Sequence, residues 1–192
     1  KKIIIIPHRN QDGDSMGSTL GLYHFLQQLN HDVTVISPNE FAQYIAWLPD
    51  TEKVMIFEKD TAVCSEILQK SDLIFTLDFN ALHRTGEVMG AFLASLSSTF
   101  VMIDHHQLPD SYAKYMYSDP KMSSTCEMVY HFIHHLGKEN LLNTTIATCL
   151  YTGLVTDTGS FRFSSTTNTT HEVAANLIKI GINNAQIHNN LF

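Results

Sequence analysis

The chain has 192 residues, of which 44% are hydrophobic and 16% are charged, and this composition excludes an intrinsically disordered protein. The formal net charge of -7 argues against coating of nucleic acid by bulk electrostatics, so we expect no binding to long duplexes. No apolar run approaches the ~20 residues that a membrane span needs, so we expect no membrane contact. The three cysteines, Cys64, Cys126 and Cys149, are far apart and indicate reduced thiols in a cytoplasmic protein.

Short apolar stretches alternate with helical patterns along most of the chain. Strands are predicted at residues 2–6, 32–37, 53–57, 72–77 and 99–103, and helices between them at 15–29, 60–70 and 86–96. This rhythm indicates a parallel sheet with right-handed crossovers. We therefore expect an α/β fold: a Rossmann-like domain with a five-stranded, mainly parallel sheet flanked by helices. A helical segment is expected to follow it, with helices at 124–136, 143–155 and 170–180.

Polar residues mark the starts of several of these helices. Ser15 is the expected N-cap of the first helix. Ser124 and Glu127 have the spacing of a capping box, which predicts that a helix begins there. The polar stretch at 163–170 is expected to be a loop.

Acidic and histidine side chains follow three of the predicted strands. They are His8, Asp12 and Asp14 after the first strand, Asp78 after the fourth, Asp104, His105 and His106 after the fifth, and, beyond helix 143–155, Asp157. Ligands of parallel α/β sheets bind beyond the carboxyl ends of the strands. We therefore expect these side chains to meet at one edge of the sheet, although a single Asp at a strand end is often only a turn or capping residue.

The mixture of carboxylates and imidazoles suits Mn²⁺, Fe²⁺, Co²⁺ or Zn²⁺, whereas sites built only of oxygen favour Mg²⁺ or Ca²⁺. Two metals about 3.5–4 Å apart need a bridging ligand and several protein ligands each, which the set can supply. The sequence thus predicts two divalent ions, with Mn²⁺, Co²⁺ or Fe²⁺ among those that the donors suit and Mg²⁺ as an alternative. Such a pair would acidify a shared water, and the resulting hydroxide would attack a phosphoryl group. Arg84 could grip that group through two hydrogen bonds.

Four short motifs occur in order along the chain. They are His8-x-x-x-Asp12-Gly13-Asp14-x-x-Gly17-Ser18, Asp78-Phe79-Asn80-x-x-x-Arg84-Thr85-Gly86, Asp104-His105-His106 and Thr156-Asp157-Thr158-Gly159-x-Phe161-Arg162-Phe163. In these motifs the chain resembles the DHH phosphoesterase superfamily, over residues 2 to about 181. Within it, the chain is similar to the branch of nanoRNases and 3′-phosphoadenosine 5′-phosphate (PAP) phosphatases, often labelled exopolyphosphatase-related proteins.

The resemblance implies a Mn²⁺-dependent hydrolysis of phosphoester bonds. Two ligand sets are implied: His8, Asp12 and Asp78 for the first metal, and Asp14, Asp78, His105 and Asp157 for the second, with Asp78 as the bridge. His106 would lie near the scissile phosphate, where it would stabilise charge or assist the leaving group. Asp104 would orient a histidine from outside the ligand set. Arg84 would meet a substrate phosphate or support the site.

Members of this branch carry a second, DHHA1-type domain, usually with a glycine-rich GGGH motif that this sequence lacks. We therefore expect residues 1–181 to form the DHH catalytic domain and residues 182–192 to begin a linker toward a second domain that is absent from the chain. Groups that recognise a base or a second phosphate would then lie outside it.

The sequence leaves three functions open. The leading hypothesis is a phosphoesterase acting on short oligonucleotides, dinucleotides or PAP. Its expected partner is therefore a small phosphorylated substrate or a short oligonucleotide. The sequence also leaves a homodimer open. The second is an inorganic pyrophosphatase or polyphosphatase with the same metal site, although Arg84 and Phe161-Arg162-Phe163 favour the nucleotide-directed enzyme. The third is a non-catalytic module that binds metal or nucleotide.

Overall fold

A six-stranded sheet forms the centre of the computed structural model, which describes all 192 residues. The strands are β1 (Lys2–Pro7), β2 (Asp32–Ser37), β3 (Met55–Ile56), β4 (Leu73–Leu77), β5 (Thr99–Asp104) and β6 (Tyr115–Ser118). They lie in the order β3-β2-β1-β4-β5-β6, and every neighbouring pair is parallel. The predicted parallel α/β architecture is therefore confirmed.

The sheet has one strand more than the five that the sequence predicted. The additional strand, β6, pairs with β5 and forms one edge of the sheet. Its four residues include the exposed Tyr115 and Met116, so no apolar run marks it in the sequence. At the opposite edge, the strand predicted at 53–57 shrinks to β3, because Thr51–Lys53 form a 3-10 turn directly before it.

Seven helices accompany the sheet. They are α1 (Gly13–Gln28), α2 (Thr61–Gln69), α3 (Glu87–Ala94), α4 (Thr125–His135), α5 (Thr144–Asp157), α6 (Asn168–Lys179) and α7 (Asn184–Leu191). The N-cap of α1 is Asp12 and not the predicted Ser15. The Asp12 carboxylate accepts hydrogen bonds from the backbone N–H groups of Asp14 and Ser15 at 3.1 and 3.0 Å, so the helix begins two residues earlier than predicted.

The starts of α4 and α6 also differ in detail from the prediction. Thr167 is the N-cap of α6, so this helix takes up the last three residues of the loop predicted at 163–170. Ser124 caps α4 as predicted and accepts a hydrogen bond from the Glu127 N–H at 3.0 Å. The Glu127 carboxylate does not complete the capping box, because it accepts its hydrogen bonds from Ser123 instead.

Alternate residues of β1 point to opposite faces of the sheet, and both faces are covered. Ile3 and Ile5 belong to the larger core, which contains buried side chains of α1, α4, α5 and α6. Ile4 and Ile6 belong to the smaller core, beneath α2 and α3. β1 is therefore a fully buried central strand, which explains its unbroken run of isoleucines.

Helices α1 and α5 approach closely through glycines. A Cβ atom at Gly17 would lie 2.5 Å from the carbonyl oxygen of Cys149, and one at Gly153 would lie 2.7 Å from the Asp14 carboxylate. A larger residue at either position would push the helices apart. This close packing brings Asp14 on α1 near Asp157, which is the last residue of α5.

The residues after 181 form a short loop and α7. Ile182 and Ile187 are buried in the larger core. The division at 181 and the linker beyond it stay predictions. The three cysteines are free and buried, as expected. None of the helices is both long enough and apolar enough to cross a membrane.

Candidate metal centre

The six side chains predicted to bind metal lie together at one edge of the sheet. They are His8, Asp12, Asp14, Asp78, His105 and Asp157. Together with His106 they form three overlapping groups, in each of which the ligand atoms lie within 4.8 Å of one another. These groups are His8, Asp12 and Asp78; Asp78, His105 and His106; and Asp14, His105 and Asp157. The parallel register explains this, because Pro7 pairs with Leu77 and Leu77 pairs with Ile103, so that β1, β4 and β5 end side by side. The proximity of these side chains is observed, and their binding of metal stays a prediction.

His8 and Asp12, which we call the outer cluster, differ in exposure: the His8 side chain is buried, whereas the Asp12 side chain is 49% exposed. His8 Nε2 lies 3.9 Å from Asp12 Oδ1 and 3.4 Å from Asp78 Oδ2. The other ring nitrogen, Nδ1, lies 2.7 Å from the carbonyl oxygen of Arg9, so it carries the hydrogen and donates. The lone pair of Nε2 is thereby directed at the two carboxylates.

Asp14, His105 and Asp157 form what we call the inner cluster, in which Asp14 is fully buried and His105 and Asp157 are partly exposed. His105 Nε2 is 3.1 Å from Asp157 Oδ2 and 3.9 Å from Asp14 Oδ2. Its Nδ1 lies 3.2 Å from the carbonyl oxygen of Met122, which again leaves Nε2 for the carboxylates. The Asp14 carboxylate is fully buried and accepts hydrogen bonds from the first two backbone N–H groups of α4, at 2.7 and 2.8 Å.

Asp78 is shared by the two clusters. Its Oδ2 faces His8 Nε2 at 3.4 Å, whereas its Oδ1 faces His105 Nε2 at 3.5 Å. Its backbone has φ of 65°, a left-handed conformation that is uncommon for a residue with a side chain and that recurs at functional sites. The backbone N–H of Asp78 donates to the carbonyl oxygen of Ile103 at 3.1 Å and holds this turn against β5.

The donor set fits divalent cations. Burial, together with the neighbouring carboxylates, raises the pKa of Asp78 to about 8 and that of Asp14 well above its usual range. Burial alone lowers the pKa of His105, but the hydrogen bond to Asp157 and the surrounding carboxylates raise it to about 10. These carboxylates therefore attract positive charge, and the Nε2 atoms of His8 and His105 face them.

His106 and Asp104 form a pair beside the clusters. His106 Nδ1 lies 2.7 Å from Asp104 Oδ1, and this hydrogen bond is the main cause of a raised pKa of His106. Asp104 is fully buried at the end of β5, and its Oδ2 has no hydrogen-bond partner. The His106 side chain is 38% exposed, so its ring can reach a ligand from a fixed orientation.

Arg84 lies on the exposed face of the 3-10 turn Leu82–Thr85. Its carbonyl oxygen accepts a hydrogen bond from the Arg9 N–H at 2.8 Å, which joins the second motif to the first. Sequence reasoning did not single out Arg9, whose guanidinium forms an ion pair with Glu58. A cavity of about 220 Å³ opens beside Arg9 and Gly86.

The sequence also missed the groups that hold the inner cluster from behind. These are the Met122 carbonyl and the backbone N–H groups of Thr125 and Cys126. Ser124 and Glu127 did mark the start of α4, and a helix start offers free N–H groups to an anion. The pattern could not show which anion would lie there, because Asp14 is more than one hundred residues away in the sequence.

Residues 2–154 match the DHH family, N-terminal domain, and the chain therefore belongs to the DHH family. Among curated proteins, the bifunctional oligoribonuclease and PAP phosphatase NrnA of Thermus thermophilus is 30% identical over 98% of this chain and 53% of its own length. The protein of the same name from Bacillus subtilis is 30% identical over 99% of this chain and 56% of its own length.

A solved structure agrees with this assignment. The crystal structure of an exopolyphosphatase-related protein from Bacteroides fragilis is 34% identical, with a TM-score of 0.97, over 100% of this chain and 56% of that one. The present chain spans about half the length of the curated relatives that it matches.

Proposed function

We propose that this chain is the catalytic domain of a metal-dependent phosphoesterase that hydrolyses PAP and short oligoribonucleotides. The observation that carries the proposal is the shared Asp78, whose two oxygen atoms face two separate histidine–carboxylate clusters. That arrangement suits a bridging carboxylate between two metal ions. The names of the relatives from Thermus thermophilus and Bacillus subtilis support the substrate class.

The proposed ligands are those of the two clusters. His8, Asp12 and Asp78 would hold one ion, and Asp14, His105, Asp157 and Asp78 would hold the other. We favour Mn²⁺ because the donors are mixed nitrogen and oxygen atoms. When bound, such ions supply Lewis-acid stabilisation of the phosphoryl oxygens and lower the pKa of water. They would also offset the negative charge of the site toward an anionic substrate.

His106 is proposed to face the leaving group. Asp104 accepts the Nδ1 hydrogen at 2.7 Å and thereby favours the protonated imidazole. A proton on Nε2 can then pass to the ester oxygen as its bond to phosphorus breaks. Arg84 is proposed to bind a substrate phosphate, since its exposed guanidinium has the planar geometry that suits two hydrogen bonds.

The proposal includes a cytoplasmic location. All three cysteines are free and buried, which suits a reducing compartment.

The test compares hydrolysis of three substrates by a purified, Mn²⁺-loaded protein that contains this chain and the expected second domain. These are PAP, an RNA dinucleotide and pyrophosphate, each supplied at millimolar concentration so that weak binding does not hide turnover. We expect PAP and the dinucleotide to be hydrolysed about tenfold or more faster than pyrophosphate, because a nucleotide-directed site uses contacts that pyrophosphate lacks. Asp78→Asn provides the inactive reference.

Two outcomes contradict the proposal. Faster hydrolysis of pyrophosphate would favour the inorganic pyrophosphatase. Binding of two Mn²⁺ ions without hydrolysis of any of the three substrates would favour a non-catalytic binding module.

A further inference from the structure

The residues around the start of α4 contact three of the proposed metal ligands. We call residues 122–126 the bracing segment. Its Met122 carbonyl oxygen accepts from His105, and the N–H groups of Thr125 and Cys126 donate to opposite oxygens of Asp14. Backbone groups in the first turn of a helix cannot rotate away as side chains can, so these contacts fix the inner cluster in position.

The third contact involves a side chain. The Thr125 hydroxyl donates to Asp78 Oδ1 at 3.0 Å, and Thr125 is fully buried. A carboxylate can rotate about its last torsion angle, because that torsion is broad and has no single staggered minimum. A hydrogen bond to Oδ1 removes this freedom, and it leaves Oδ2 directed at His8.

The bracing segment is itself anchored from behind. The buried carboxylate of Glu127 accepts hydrogen bonds from the N–H and hydroxyl of Ser123 and, at 3.0 Å, from the hydroxyl of Thr170 on α6. A buried carboxylate with several donors is a rigid junction. The position of the Thr125 hydroxyl is therefore set by α6 as well as by α4.

We propose that Thr125 is a positioning residue whose hydroxyl holds the shared Asp78 carboxylate so that one oxygen serves each metal ion. This inference rests on the proposed function only in taking Asp78 as the metal bridge. Thr125 does not itself touch metal or substrate. Its effect should appear in metal affinity and in the coupling between the two ions, and only through them in catalysis.

The test measures Mn²⁺ binding by calorimetry to the metal-free wild type, Thr125→Val and Thr125→Ser. Valine keeps the shape but has no hydroxyl, and serine keeps the hydroxyl. We expect Thr125→Val to bind Mn²⁺ about 10- to 100-fold more weakly, as is typical when an outer partner of a metal ligand is lost, and serine to restore binding to within about threefold. The matched control is Thr19→Val, since Thr19 is also fully buried in a helix but its hydroxyl has no partner.

A second measurement distinguishes positioning from general packing. Two Mn²⁺ ions joined by a carboxylate are magnetically coupled, and electron paramagnetic resonance detects the coupling. We expect the coupling signal to weaken in Thr125→Val and to remain in Thr19→Val. Unfolding midpoints of the metal-free proteins check the fold, and Thr125→Ala replaces the valine variant if that variant does not fold.

The proposal is overturned if Thr125→Val binds Mn²⁺ as the wild type does, or if Thr19→Val weakens binding equally. Failure of the proposed function gives a different result. If the wild type binds two coupled ions and hydrolyses neither PAP nor the dinucleotide, the catalytic proposal falls, and the role of Thr125 is still decided by the variants. If the wild type binds no Mn²⁺, both proposals fall.

Discussion

The outer and inner clusters contain the same two types of side chain but are held in different ways. The Asp12 side chain of the outer cluster is 49% exposed, whereas Asp14 of the inner cluster is fully buried. Asp14 and His105 are fixed by backbone groups of the bracing segment. Asp12 also accepts hydrogen bonds from two helix N–H groups, those of Asp14 and Ser15. The two halves of the centre therefore differ in where their backbone contacts come from: neighbouring residues hold the outer cluster, whereas the distant start of α4 holds the inner one.

The outer cluster lies on a surface loop between β1 and α1. The loop is held through side chains and through its backbone: the Asn10 N–H donates to Asn39 at 2.9 Å, Gln11 donates to Ser37 at 2.6 Å, and the Arg9 N–H donates to the Arg84 carbonyl at 2.8 Å. Asn10 has a positive φ of 57°, so the chain turns sharply between the two outer residues.

Two bound ions would not be equivalent, because the two clusters differ in charge. Besides the shared Asp78, the inner cluster offers two carboxylates, Asp14 and Asp157, whereas the outer cluster offers one, Asp12. More negative charge attracts a divalent cation more strongly. We therefore expect the inner position to fill first and to release its ion last.

The largest effect is expected for Asp78→Asn, which removes the carboxylate that both clusters share. Asparagine tolerates the left-handed backbone at this position, so the fold should persist. An amide offers one neutral oxygen and cannot bridge two ions as a carboxylate can. We expect elemental analysis to find neither ion and hydrolysis of PAP to fall by about a thousandfold or more.

The control for this variant is Asp60→Asn, because Asp60 is exposed and its side chain makes no capping hydrogen bond. It should keep both ions. Retention of two ions by Asp78→Asn would contradict the bridging role.

The next effect in size is the loss of one ion. Asparagine at position 12 remains a good N-cap for α1, so Asp12→Asn should fold normally while weakening the outer cluster. A Mn²⁺ titration of the wild type should show two affinities that differ by about tenfold or more, and the variant should keep only the tighter one. Loss of the tighter site instead would reverse the assigned order of the clusters.

Much of this comparison could be predicted from the sequence. Strand ends in a parallel sheet converge, so the positions of His8, Asp78 and His105 followed from the apolar stretches before them. Asp157 needed the family motif, because it ends a helix and its approach depends on the glycine contacts between α1 and α5. The short edge strand β6 gave no sequence signal at all.

The difference between the clusters could not be predicted. It depends on where the first turn of α4 points, and that is set by packing between elements far apart in the chain. Ser124 signalled a helix start in the sequence, but nothing local related it to Asp14. The hydrogen bond of Thr125 to Asp78 is likewise a tertiary contact between separate motifs.

A third variant should lower activity without changing metal content in either cluster. In His106→Gln the imidazole that Asp104 holds is lost, while the outer and inner clusters are unchanged. Loss of a general acid lowers turnover by about 100- to 10,000-fold, so we expect a fall in this range with two ions still bound. His135→Gln, on the exposed end of α4, is the matched control. Loss of an ion together with activity would instead make His106 a ligand.

The smallest effect is expected for Glu127→Gln, which weakens the anchor behind the bracing segment. Burial alone raises the pKa of Glu127, but the nearby His131 imidazole and hydrogen bonds from Ser123 and Thr170 lower it below its ordinary value of 4.5. The ionised carboxylate therefore stabilises the folded protein at pH values above its ordinary pKa. This stabilisation is lost as the pH falls through the lower pKa that Glu127 has in the folded state. At pH 7 we expect the free energy of unfolding of the metal-free variant to fall by about 1–3 kcal/mol.

The same substitution should weaken only the tighter of the two Mn²⁺ affinities, since the outer cluster has no contact with the bracing segment except through Asp78. The loss of stability should disappear once the pH falls below the lowered pKa of Glu127, where the wild-type carboxylate is also neutral. Glu87→Gln is the control, because Glu87 occupies the first turn of α3 but is exposed. Equal weakening of both affinities would show that the two clusters are held as one unit, and the distinction between them would then be wrong.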